Sequence, residues 1–122
     1  MSRPILEATQ LHPAIRDRIA TYHADIVHNV RAATVSNAIL VVGMAGNPWC
    51  RRARKSLAAA GQGHHYLEYG SYLRGWKPRL ALKMWTGWST FPMVFVRGQF
   101  IGGAQDLDRL IASGELQRLL AT

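Results

Sequence analysis

The sequence predicts an α/β layer fold with a mixed sheet, and three observations carry that reading. Short apolar, β-rich runs alternate with stretches whose apolar residues recur at helical spacing. Met93-Val94-Phe95-Val96, Arg97-Gly98 and Gln99-Phe100-Ile101 have the form of a strand, a two-residue turn and a returning strand. Thr90-Phe91-Pro92 before that hairpin marks a special turn, because proline withholds a ladder donor. Gly102-Gly103 after it permits backbone angles and close approaches that other residues do not.

The elements follow in order. Residues before Leu11 read as a loose start. From Pro13, Ile15, Ile19, Tyr22, Ile26, Val27 and Val30 lie at three- and four-residue steps. That spacing predicts one amphipathic helix to about Ala33, with Pro13 in its first turn. His23 and His28 sit at its face edges, with no partner spacing that suggests a metal. Ala38 to Val42 is a continuous apolar strand of the kind buried at the centre of a sheet. After the loop Gly43-Met44-Ala45-Gly46, Asn47-Pro48 opens a helix, asparagine being a favoured N-cap and proline a favoured first residue. Ala53, Leu57 and Ala60 form its inner face and Gly61 stops it. Tyr66 to Tyr69 reads as a strand, Gly70 to Pro78 as irregular chain, and Pro78 to Trp85 as a helix. Beyond the hairpin, Leu107, Leu110 and Ile111 share a helical face. Ser113-Gly114 then breaks the chain before a short helix carrying Leu116, Leu119 and Leu120.

Composition bounds the possibilities. At 122 residues the chain is expected to be a single domain with a proper core, and 48% hydrophobic content is that of a folded protein. One cysteine excludes an intramolecular disulfide and an all-cysteine metal site. The longest apolar run is far too short for a membrane span, and no secretory signal pattern opens the chain, so a cytoplasmic location is the default expectation. The charge is less ordinary: 15 Lys+Arg against 7 Asp+Glu, a net +8. Only Arg51, Arg52, Arg54 and Lys55 form a dense cluster, which reads either as a solvated helix face or as a dock for acidic proteins. No recognised motif accompanies the charge, which argues against specific nucleic-acid binding.

The stretch Trp88, Thr90-Phe91-Pro92, hairpin, Gly102-Gly103 resembles the thioredoxin-fold glutaredoxins, and in particular their monothiol branch. The resemblance runs from about Ala38 to Leu120. It implies a thioredoxin-like (glutaredoxin) fold, a four-stranded mixed sheet flanked by helices, with residues 1–36 as an N-terminal helical segment and 37–122 as the core. It also implies a cis Phe91–Pro92 bond and redox chemistry, namely glutathione-linked thiol–disulfide exchange and the electron transfer that accompanies it.

At the position of the family's nucleophilic cysteine, however, stands Asn47, in Asn47-Pro48-Trp49-Cys50. An amide forms no mixed disulfide with glutathione and offers no thiolate to a [2Fe–2S] cluster, so weak or absent turnover and no iron–sulfur cluster are expected. Cys50 takes the second, resolving position. Near a helix start and beside Arg51 its thiol would acidify; facing inward it would be inert. A shifted register with Cys50 as nucleophile is a further alternative. For glutathione the resemblance implies contacts from Lys83, Arg79, Thr90, the Phe91 backbone beside Pro92, Gly103 and Gln105, while Met44 replaces a lysine. Three functions remain open: a weak glutaredoxin, a non-catalytic glutathione- or peptide-binding module, and a basic adaptor.

Overall fold

The sheet is built on the two most apolar runs of the chain. In the computed structural model, which describes residues 2–121, these are β1 (Ile39–Gly43) and β3 (Met93–Val96), both buried along their whole length. β2 (His65–Glu68) and β4 (Gln99–Gly102) flank them in the order β2-β1-β3-β4. β2 runs parallel to β1, and the other two pairs are antiparallel. The sheet is therefore four-stranded and mixed, as the sequence predicts.

Period-two alternation sorts the central strands between two cores. Leu40, Val42, Met93 and Phe95 point to one face, where Val30 of α2 (Ala24–Ser36) and Leu82 of α4 (Trp76–Thr86) cover them. Ile39, Val41, Val94 and Val96 point to the other, beneath α3 (Pro48–Ala59), α5 (Ala104–Ser113) and α6 (Glu115–Leu120), which supply Leu57, Leu107 and Leu116. The hairpin turn has left-handed backbone at both residues, φ 51° at Arg97 and 80° at Gly98, the twist that a two-residue connection favours.

The N-terminal region departs from its expected form. Instead of one helix from Pro13 to Ala33 there are two, α1 (Pro13–Thr21) and α2, and a short 3-10 turn (Ala8–Gln10) precedes them. Tyr22 is extended and His23 takes φ 45°, which ends the first helix without any glycine or proline to announce it. The apolar stripe continues across the break but serves two different surfaces. Ile26, Val27 and Val30 pack onto the sheet, whereas Ile15 and Ile19 are each 43% exposed. α4 also starts earlier than expected, at Trp76, and the strands β1 and β2 are each displaced by one residue.

Candidate functional site

Three pieces of chain meet at one end of the sheet: the start of α3, the loop before β3 that carries Trp88 and Pro92, and the β4–α5 junction. The Phe91–Pro92 peptide bond is cis, and Phe91 and Pro92 are buried. Among the described residues nothing pairs with the Phe91 backbone N–H or C=O, which leaves an open strand edge beside β3. That edge forms one wall of a cleft of about 210 Å³, with Thr90 on its rim. Gly103, Ala104, Gln105, Asp106, Trp49 and Trp88 complete its lining.

The chemistry at the start of α3 is that of a cap. Asn47 is buried, and its Oδ1 accepts hydrogen bonds from the backbone N–H groups of Trp49 and Cys50 at 2.9 and 3.1 Å. The two helix-start donors that would otherwise stabilise a thiolate are thus satisfied by an amide oxygen. Cys50 turns the other way and is 2% exposed. A Cβ placed on Gly43 would lie 2.8 Å from its Sγ and 2.7 Å from the Tyr66 hydroxyl, so the sulfur packs tightly against β1 and β2. Burial pushes the Cys50 thiol up, and Glu68 adds to the rise. The Met44 backbone N–H and Arg51 oppose it without reversing it. The Cys50 side chain thus faces inward, with its thiol held above the usual range. Burial and the hydrogen bond donated to Glu68 at 3.0 Å likewise raise the Tyr66 phenol.

The start of α5 is partly self-satisfied. The Gly103 N–H donates to Asp106 Oδ2 at 2.9 Å, so a carboxylate of the chain itself occupies one anion-binding group and adds negative charge to the cleft. Ala104 and Gln105 keep their N–H groups without a partner among the described residues. Gly102, at φ 112°, lies where a Cβ would stand 2.5 Å from the same Asp106 oxygen. Only glycine permits that closure.

A protein of Dictyostelium discoideum described as glutaredoxin-like is 42% identical over 102 residues, covering 84% of this chain and 83% of the relative. The chain belongs to the glutaredoxin family. No family model matches it. Among solved structures, oxidized glutaredoxin 2 of Chlamydomonas reinhardtii superposes with a TM-score of 0.68 at 28% identity, over 80% of this chain and 92% of that one. A buckwheat glutaredoxin–glutathione complex gives 0.69 at 24% identity, over 80% and 89%, which speaks for the fold.

In this glutaredoxin-family chain, the residues expected to contact a ligand divide into two groups. Thr90, Phe91, Pro92, Gly103 and Gln105 converge on the cleft. Lys83 stands just behind it, its Nζ 6.0 Å from the centre of the Phe91 ring. Arg79 does not line the cleft. It is buried, and its NH1 donates to the backbone carbonyls of Tyr69 and Arg74 at 3.0 and 2.9 Å, pinning the chain that leads into α4. Met44, where the resemblance expects a lysine, is absorbed into the core.

The basic cluster is likewise divided. Arg52 pairs with Asp108 at 2.9 Å and sits over Trp49; Arg54 lies 4.1 Å from the Tyr66 ring centre and donates to His64. Of the four, Arg52 alone has an ion pair among the described residues. Sequence reasoning missed four lining residues, Trp49, Trp88, Ala104 and Asp106. Asp106 had a signal in its spacing, three residues after Gly103, where a side chain reaches back to a helix start.

Proposed function

We infer that this glutaredoxin-family protein binds glutathione, or the γ-glutamyl-cysteinyl part of a thiol peptide, in the cleft without turning it over. The observation that carries this reading is the pairing of an open Phe91 edge with a helix start capped by Asn47, the residue where the resemblance expects the family's thiol. The edge would hold the cysteine portion of the ligand as an added strand does. The unpartnered N–H groups of Ala104 and Gln105 and the side chain of Gln105 suit its γ-glutamyl carboxylate. Lys83 supplies positive charge behind Phe91.

The residues at the cleft do not suit an iron–sulfur cluster. Its thiolate ligand would have to come from Asn47, an amide whose oxygen is already engaged, or from Cys50, whose sulfur faces the core. No step of the proposed function passes through such a cluster.

Calorimetric titration with reduced glutathione tests the proposal. Weak, salt-sensitive binding is expected, weakened about tenfold by Lys83→Glu, since a charge-assisted contact is worth about 1.5–3 kcal/mol. Turnover of a glutathione mixed disulfide should stay at background. Equal affinities for parent and variant would place the site elsewhere. Turnover abolished by Cys50→Ser would make Cys50 a nucleophile and overturn the reading.

A further inference from the structure

Apart from the residues that line the ligand cleft, α1 and α4 leave an apolar groove of about 430 Å³ between them. Ile15, Ile19 and Tyr22 form one wall at helical spacing, and Trp76, Leu80 and Met84 form the other at four-residue steps. These are not residues that merely graze the surface: Trp76 is 58% exposed, Met84 47%, and Ile15 and Ile19 43% each. The α1 half of this stripe is the part of the N-terminal periodicity that the break at Tyr22–His23 diverts from the core. The groove is also held in shape. Arg79, bonded to the Tyr69 and Arg74 carbonyls, fixes the first turn of α4 and with it the position of Trp76.

We propose that this groove receives an acidic amphipathic helix of another protein. Two helices that each present apolar residues one turn apart accept a third helix between them, read by anchors at the same spacing. The rungs at 76, 80 and 84 span about 12 Å, roughly two turns of the incoming helix. Charge selects the occupant. Among the described residues Arg18 is the one charged side chain lining the groove and no acidic residue lines it, while Lys77 lies against the Trp76 ring at 5.6 Å. Three of the chain's 7 acidic residues, Asp106, Asp108 and Glu115, are tied in ion pairs on α5 and α6. A second copy, itself +8, would bring like charges together at Arg18.

Two synthetic helices of about 18 residues, alike in their leucine face but flanked by glutamate or by lysine, provide the test. The glutamate helix should shift the amide resonances of α1 and α4 and the Trp76 emission of the full chain. Arg18→Glu, at an exposed site, should weaken that binding about tenfold and let the lysine helix bind instead. Thermal melts of the variant confirm that the fold is retained. Equal binding of both helices, or of neither, overturns the proposal. So does self-association abolished by Met84→Glu, which would mark a second copy as occupant, and so does binding to anionic lipid vesicles alone.

Discussion

Asn47 is where one side chain decides between two chemistries. As an asparagine it caps α3 through two backbone N–H groups. Asn47→Cys would present a thiol to those same donors, the arrangement that stabilises a thiolate. We expect this variant to gain glutathione-dependent reductase activity at least about tenfold above the parent, at a stability cost of roughly 1 kcal/mol for the lost cap. A mixed-disulfide assay beside a denaturation curve checks both numbers; a folded variant with no gain would mean that the cleft itself has diverged. Arg79 is the contrasting residue. Sequence resemblance assigns it to a ligand, but its NH1 holds two backbone carbonyls of the chain. Arg79→Met should lower stability by about 2 kcal/mol, because it leaves those carbonyls without a charged donor. A denaturant midpoint unchanged from the parent would contradict that role.

Strands and helices were legible in the sequence to different degrees, for physical reasons. β3 and its hairpin could be read residue by residue, because Arg97-Gly98 fixes the register locally and Met93–Val96 is apolar throughout. Asn47 and Pro48 likewise declare the start of α3. The break between α1 and α2 was not legible, since His23 adopts left-handed backbone with no glycine to signal it and the apolar spacing runs on unbroken. Within the site, the residues clustered near Pro92 and Gly103 could be found from motif spacing. The inward turn of Cys50 depends on packing between distant elements, whereas the self-capping by Asp106 is local and had its signal in the spacing from Gly103. The contact of β1 with α3 offers the matching prediction. Gly43→Ala would drive a methyl into Cys50 Sγ and the Tyr66 hydroxyl and should cost about 1–3 kcal/mol. Cys50→Ala should recover part of that loss in the double variant, as a double-mutant cycle of melts would measure.

For the molecule as a whole, the shifted groups define a window of pH stability. Cys50 and Tyr66 hold their protons in the folded state more firmly than their ordinary values of 9.0 and 10.0 imply. Their contribution is complete below about pH 9 and declines above it, as the unfolded chain loses those protons first. His64 has the opposite shift, below its ordinary 6.5, chiefly through burial and then through Arg54 and His65. Its contribution is complete above about pH 6.5 and declines as pH falls, because the unfolded chain gains the proton first. Melting temperatures should therefore form a plateau from about pH 6.5 to 9 and fall on both sides. Stability still rising from pH 9 to 10.5 would contradict the protonated burial of Cys50 and Tyr66.

The seclusion of Cys50 gives the protein a built-in clock. A sulfur wedged between Gly43 and Tyr66 meets a labelling reagent only during the intervals when α3 lifts from β1. Where reclosing outpaces labelling, the rate at which the single thiol is consumed divides by its rate in the unfolded chain to give the fraction of time spent ajar. No other cysteine contributes to the count. Followed with and without glutathione, that fraction reports how firmly a guest in the cleft, at the start of α3, would hold the helix shut.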